Sequence, residues 1–192
     1  MSLLILGIVI WSMIHFVPSL AVNFRSGLVQ RFGMVGYKGV FGLVAIVALL
    51  CIIYGWKAAS AEPLFTPPPW GAHVTVVLTF FAFLLLFAPY MDNSLRHLLR
   101  HPQLSGVLLW GTGHLFSSGE ARAVVLFAGF ALWALLEMFL INRREGAWNR
   151  PEPASLMANF RLVLTGVGFF ALFLYTHNWL FGVGALPNPP AG

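Results

Sequence analysis

Long uninterrupted runs of hydrophobic residues alternate along this chain with short stretches that hold most of the polar residues. The clearest runs cover 2–21, 38–56, 73–90, 121–141 and 160–181. A helix needs about 20 apolar residues to cross the roughly 30 Å of hydrocarbon in a bilayer. Each of these five runs therefore predicts a transmembrane helix.

A sixth run, 103–117, is shorter and rich in glycine. It follows Arg100-His101-Pro102, and proline is well suited to the first turn of a helix. We interpret this run as a sixth, shorter transmembrane helix. The expected fold class is all-α, a polytopic integral membrane helical bundle of about six transmembrane helices, with a single domain over 1–192. The proline-containing tail 186–190 predicts a short extended end.

The basic residues predict the orientation of this bundle. With six spans and the N-terminus outside, nine of the eleven Lys and Arg side chains fall on the inner side and two on the outer side. The positive-inside rule strongly favours this arrangement. The inner residues are Arg25, Arg31, Lys38, Arg96, Arg100, Arg143, Arg144, Arg150 and Arg161, and the outer ones are Lys57 and Arg122. In a bacterial inner membrane both termini then face the periplasm, and the basic residues indicate topology rather than a nucleic-acid partner.

Composition supports a lipid bilayer as the surroundings of the chain. Hydrophobic residues make up 59%, charged residues 9%, and the mean hydropathy is +0.83. The single cysteine, Cys51, excludes an internal disulfide. The sequence contains no CxxCH motif for covalent haem, no HExxH zinc motif, and no P-loop or Rossmann glycine pattern. Any haem is therefore expected to be non-covalently bound haem b.

His15 is the first candidate for chemistry. It shares one face of the first helix with Trp11, Ser12, Pro18 and Ser19, while the other faces carry apolar side chains suited to lipid. An imidazole in a lipid-spanning helix loses its hydration and needs a partner, so it marks a functional site by default. We expect His15 to point into the bundle, either as an axial metal ligand or as a structural residue bonded to a neighbouring helix.

His114 is the second candidate, and glycines precede it in the sixth run. Small residues allow either another helix or a flat macrocycle to approach the backbone closely, so close packing and a cofactor face both remain open. At 1.5 Å per residue, His114 lies roughly 16 Å into its helix and His15 about 10 Å from the inner end of its own. These depths are compatible with His15 and His114 as the two ligands of one haem iron.

The other ionisable residues are weaker candidates. Arg25, Arg96 and Arg100 are expected to pair with haem propionates at the inner face, and His101 joins the cofactor-binding candidates with helix capping as the alternative. His73, His97 and His177 are expected to be interfacial or solvated residues. Glu137, the only acid inside a span, is expected to extend towards Arg143 or Arg144.

In order and spacing these elements resemble the NnrU family of bacterial membrane proteins. The resemblance runs through His15 with Pro18 and Ser19, the 25–37 segment, Arg100-His101-Pro102, Leu108-Leu109-Trp110, Gly113-His114-Leu115 and the late 177–183 segment. It covers essentially the whole chain. The most specific block is 100–119, where the RHP and GHL elements have the required spacing.

The resemblance implies a role in denitrification, because members of the family are linked to the expression or activity of nitrite and nitric oxide reductases. A plant and cyanobacterial relative, zeta-carotene isomerase, resembles the same block and is a haem b enzyme that isomerises a carotenoid double bond. Its axial histidines align with His15 and His114. It has a glycine soon after the first histidine, where this chain has Pro18, so carotenoid specificity does not carry over.

Three functions therefore compete. The first is a haem b protein of nitrite or nitric oxide metabolism, since ferrous haem binds nitric oxide when an axial ligand leaves. The second is a haem-dependent cis–trans isomerase of a carotenoid or other polyene. The third is a cofactor-free membrane assembly or scaffold protein, in which both histidines serve only as hydrogen-bonding residues.

Overall fold

The computed structural model describes residues 1–186, and this part of the chain is helical with no β-strand. The helices are α1 Ser2–Leu20, α2 Val22–Ala58, α3 Gly71–Phe87, α4 Leu95–Leu98, α5 Pro102–Ser117, α6 Ala121–Glu145 and α7 Leu156–Phe181, with a 3₁₀ turn over Ala88–Tyr90. The predicted all-α class is confirmed. The extended tail predicted for 186–190 lies, beyond Leu186, outside the described residues.

Five of these helices are long and apolar enough to cross a membrane: α1, α2, α6, α7 and α3 with its 3₁₀ extension. The helix α5 has 16 residues and spans about 24 Å, which is short of the roughly 30 Å of bilayer hydrocarbon. It begins at Pro102, as the sequence predicts. The expectation of about six helices is therefore close, with five full-length spans and the shorter α5.

The helix α2 differs from its predicted extent, 38–56. Helical structure begins at Val22 and continues to Ala58, with a break at Gly33, where φ is +71° and ψ is 167°. Glycine adopts this conformation without a steric penalty. The preceding segment, 22–32, carries Arg25 and Arg31 and lies outside every span that the sequence predicts. A helix that lies along the membrane surface tolerates such charges, whereas a spanning helix does not.

The first compact unit comprises 1–64 and 120–147. Within it α1 packs against both α2 and α6. Glycines bring the first two helices into close contact: a Cβ placed on Gly7 would lie 2.8 Å from the carbonyl oxygen of Ala48. A Cβ on Gly55 would meet the backbone of Leu4, with 2.6 Å to its Cα. This is the close approach that small residues permit between membrane helices.

The second compact unit comprises 65–119 and the described part of 148–192. Here α3 packs against both α5 and α7. Aromatic contacts join α3 to α7, for example between the rings of Phe87 and Phe169, whose centroids lie 4.6 Å apart. The single domain expected over 1–192 stays a prediction. Each unit combines separate stretches of chain.

Candidate functional site

His15 lies on α1 of the first unit, with its imidazole fixed by its own helix. Its Nδ1 lies 2.7 Å from the carbonyl oxygen of Trp11, one turn earlier. A carbonyl can only accept, so the hydrogen bond requires a proton on Nδ1. In the neutral ring the lone pair is then on Nε2, the tautomer that a metal ligand needs. The ring also stacks on Trp11, with centroids 4.4 Å apart and an interplanar angle of 28°.

Three aromatic rings surround His15. Besides Trp11, Phe41 of α2 and Trp133 of α6 each place a ring centroid 5.1 Å from the imidazole centroid in edge-on geometry. Within its unit the ring of His15 therefore faces α2 and α6, and its role as a ligand stays a prediction. The side chain is half-buried, so its ring is held by packing while keeping accessible surface. Neither Phe41 nor Trp133 was a candidate in the sequence, because their proximity to His15 depends on how three helices pack.

His114 lies on α5 of the second unit in the same local arrangement. Its Nδ1 lies 2.8 Å from the carbonyl oxygen of Trp110, and the two ring centroids are 5.3 Å apart. The bond again assigns the proton to Nδ1 and the lone pair to Nε2. Both histidines therefore belong to a Trp-x-x-x-His element on a helix. This repeated spacing is readable in the sequence, but its structural meaning comes from the two carbonyl bonds.

The glycines of α5 serve helix packing. A Cβ on Gly113 would lie 3.2 Å from the Cβ of Leu78, and a Cβ on Gly106 would lie 3.0 Å from the carbonyl oxygen of Ala82, both on α3. The hydroxyl of Thr75 donates to the carbonyl of Gly113 at 2.6 Å and to that of Gly71 at 2.9 Å. At these two positions the glycines fit the packing alternative. The hydrogen bond from Thr75 joins α5 to α3 at Gly113, one residue before His114.

Replacing Thr75 with valine removes the hydroxyl that joins α3 to α5, so we expect a loss of stability of about 1 kcal/mol, in the range measured for hydrogen bonds between membrane helices. Thermal unfolding in detergent, followed by circular dichroism, measures it. Thr79 on the same helix is the matched control, because its buried hydroxyl has no hydrogen-bond partner among the described residues. Thr79→Val should be neutral or stabilising. Equal losses for both variants would contradict the role of the Thr75 bond.

The charged candidates fall in different units. Arg25 belongs to the first unit, where its guanidinium carbon lies 5.5 Å from the centroid of the Tyr37 ring. Arg100 and His101 belong to the second unit. His101 is the N-terminal cap residue of α5, and its carbonyl accepts a hydrogen bond from the backbone amide of Ser105 at 2.9 Å. His101 therefore occupies the N-cap position, but its side chain makes no capping hydrogen bond to α5.

The remaining ionisable candidates bond to backbone carbonyls, are exposed, or are buried. The Nδ1 of His97 donates to the carbonyl of Pro151 at 2.8 Å, and the Nδ1 of His177 donates to that of Val183 at 2.9 Å. His73 is exposed. Glu137 is only 7% exposed, and its Oε2 has no hydrogen-bond partner among the described residues. Its carboxyl interacts electrostatically with Arg144, one of the two expected partners, while remaining buried.

Residues 1–186 contain no group of three or more His, Cys, Asp or Glu side chains that could hold a metal ion. A protein-only metal centre needs such a group. A haem iron does not, because the porphyrin supplies four nitrogen ligands and the protein adds only the axial ones. Each carbonyl-fixed imidazole has the tautomer that an axial ligand of haem needs.

Comparison with protein families found one that spans nearly the whole chain. The family model described as "NnrU protein" matches residues 3–185. No curated protein matches the chain, and no solved structure matches it.

Proposed function

The chain belongs to the NnrU family, and from this premise we propose that it binds haem b through imidazole ligands and serves nitrite or nitric oxide metabolism. His15 in the first unit and His114 in the second are the candidate ligands. The observation that carries the proposal is the Nδ1–carbonyl bond that each histidine makes with the tryptophan four residues earlier. The metabolic role rests on the resemblance to the family.

A protein that holds an axial haem ligand must fix the tautomer of the histidine and orient its ring. A hydrogen bond from Nδ1–H to a backbone carbonyl fixes the tautomer, orients the ring and makes Nε2 a better donor to iron. The stacked Trp11 ring and the edge-on rings of Phe41 and Trp133 restrain the orientation of His15 further. When bound, ferrous haem supplies an iron that coordinates nitric oxide.

We also propose that the protein lies in the bacterial inner membrane with both termini in the periplasm. The positive-inside distribution supports this orientation. Within the first unit, Nη1 of Arg144 at the end of α6 donates to the carbonyl of Pro18 near the end of α1 at 2.8 Å. The C-terminal ends of α1 and α6 therefore lie on the same side of that unit. The proposed orientation requires this, because it places both ends at the inner face.

The test is the absorption spectrum of the full chain, expressed with ample haem and purified in detergent. We expect a Soret band with low-spin features, a pyridine haemochrome of the b type, and a shift of the ferrous spectrum on addition of nitric oxide. A correctly folded but colourless protein would contradict the proposal and favour the cofactor-free scaffold. Haem binding together with a cis polyene that accumulates in cells lacking the protein would favour the isomerase instead.

A further inference from the structure

A cavity of about 450 Å³ lies in the first unit, near the ends of α1 and α6. It is lined by Pro18, Val22, Arg25, Tyr37, Lys38, Phe41 and Arg144. All of these residues belong to 1–64 or 120–147. Segment 22–32 contributes Val22 and Arg25 to its lining, and the part of α2 after the break at Gly33 contributes Tyr37, Lys38 and Phe41. Its volume is in the range of small-molecule sites.

The lining of this cavity is positively charged. It contains the guanidinium groups of Arg25 and Arg144 and the ammonium group of Lys38, and no carboxylate. Two acids lie near it: Nη2 of Arg144 forms an ion pair with Oε1 of Glu145 at 2.7 Å, in the exposed last turn of α6, and the carboxyl of Glu137 on the same helix interacts electrostatically with Arg144. Three cations against these two acids leave a small surplus of positive charge. Such a surplus attracts an anion.

Tyr37 gives a second, independent indication of a ligand. Its hydroxyl oxygen is buried and has no hydrogen-bond partner among the described residues, and Tyr37 is one of the residues that line the cavity. A buried hydroxyl without a partner is destabilising, and it gains most from an acceptor that enters the site. A ligand oxygen in the cavity would provide one. Arg25 lies over the same ring and is in position to bind the same anion.

The surroundings of the cavity are apolar. Val22, Phe41 and Pro18 complete its lining. On the neighbouring segment 22–32, Phe24 is 61% exposed and Phe32 is 55% exposed. Large exposed aromatics beside cations are typical of a helix that lies in the membrane interface. An anion that binds here therefore lies next to an apolar surface. A lipid headgroup carries acyl chains that cover such a surface, whereas a free ion does not.

We propose that this cavity binds the phosphate headgroup of an anionic phospholipid. Arg25 offers paired N–H donors that match two phosphate oxygens, and Lys38 contributes a point charge. Arg144, whose Nη1 and Nη2 already bond Pro18 and Glu145, adds its positive charge, and the hydroxyl of Tyr37 donates to a further oxygen. The acyl chains follow the exposed aromatic face of segment 22–32. The assignment to the cytoplasmic leaflet rests on the proposed orientation, but the site itself does not depend on haem.

The experiment measures binding of phosphatidylglycerol and phosphatidylcholine to the delipidated full chain by native mass spectrometry. We expect clear preference for phosphatidylglycerol. A basic residue near anionic lipid contributes roughly fivefold in affinity, so Arg25→Gln with Arg144→Gln should weaken phosphatidylglycerol binding by roughly thirtyfold. The matched control is Arg31→Gln with Arg143→Gln, which removes the same charge from exposed residues that do not line the cavity. This control should retain most of the affinity.

Tyr37→Phe tests the same site without a change of charge, so it remains informative if the double variant fails to fold. We expect severalfold weaker phosphatidylglycerol binding and unchanged binding of phosphatidylcholine. Equal affinity for the two lipids, or equal loss in the control double variant, would overturn the proposal. Inorganic phosphate that displaces the lipid at comparable concentration would assign the cavity to a free anion and would also overturn it. Because none of these measurements uses haem, failure here is distinguishable from failure of the haem proposal.

Discussion

Gly55→Ala is expected to destabilise the protein by about 3 kcal/mol or more, at the upper end of the range for overpacking a well-packed interface. The added methyl group would meet the backbone nitrogen and Cα of Leu4, with 2.6 Å to the Cα. Backbone atoms cannot rotate away as a flexible side chain can. The clash is relieved only if α1 and α2 move apart, which also removes the contact at Gly7. Unfolding in detergent, followed by circular dichroism, measures the loss.

Gly42→Ala on the same helix is the matched control. A Cβ at this position meets no heavy atom within 4 Å among the described neighbours. Alanine is also the better helix former by about 1 kcal/mol, so this variant should be neutral or slightly more stable. A Gly55→Ala protein as stable as wild type would show that α1 and α2 are not in the contact described. Equal destabilisation by both variants would point to a general intolerance of α2 to substitution.

The first helix connects this packing to the candidate site. Leu4 and Gly7 contact α2 near the start of α1, His15 lies beyond them, and Pro18 lines the cavity near its end. A shift of α1 away from α2 therefore also moves His15 relative to Phe41, which contacts it from α2. Because of this connection, any variant that affects the site must be checked for helix content and unfolding temperature.

The fold could be predicted from the sequence where a single physical requirement dominates. Long apolar runs define the spans because unpaired backbone groups cannot remain in hydrocarbon. Pro102 marks the start of α5, because its missing N–H is harmless in the first turn. The start of α2 could not be predicted this way. Segment 22–32 is too polar to span, and its pattern does not distinguish a surface helix from a loop; in the structure it is helical and is separated from the rest of α2 by the positive φ of Gly33.

The candidate site could be predicted only in part. The sequence placed His15 and Trp11 on one face of α1, since residues four apart share a face. It could not show that Phe41 and Trp133 contact His15, because these residues come from helices whose packing angles the pattern does not determine. The cavity was missed for the same reason. Arg25, Lys38 and Arg144 are far apart in the chain and were interpreted as topological charges, except for the expected propionate contact at Arg25.

Removal of either proposed histidine ligand is the second change with a large expected effect. In haem-loaded protein, His15→Ala should change the low-spin spectrum or lower haem occupancy, and so should His114→Ala. Loss of a second-shell partner alone costs 10–100-fold in metal affinity, so loss of a ligand should lower occupancy at least tenfold. The measurement is the ratio of the Soret band to the protein band after purification. His73→Ala, at an exposed position on α3, is the control and should leave the ratio unchanged.

Added imidazole separates ligation from folding. A variant that lacks only the axial nitrogen should regain a low-spin spectrum when free imidazole occupies its place, whereas a variant that has lost its packing should not.

Trp11→Leu provides a complementary test, because it keeps the backbone carbonyl that holds Nδ1 of His15 but removes the stacked ring. We expect this variant to retain haem with weaker affinity. If His15→Ala and His114→Ala both keep the wild-type spectrum, neither imidazole is a ligand, and the Trp-x-x-x-His elements serve helix packing alone.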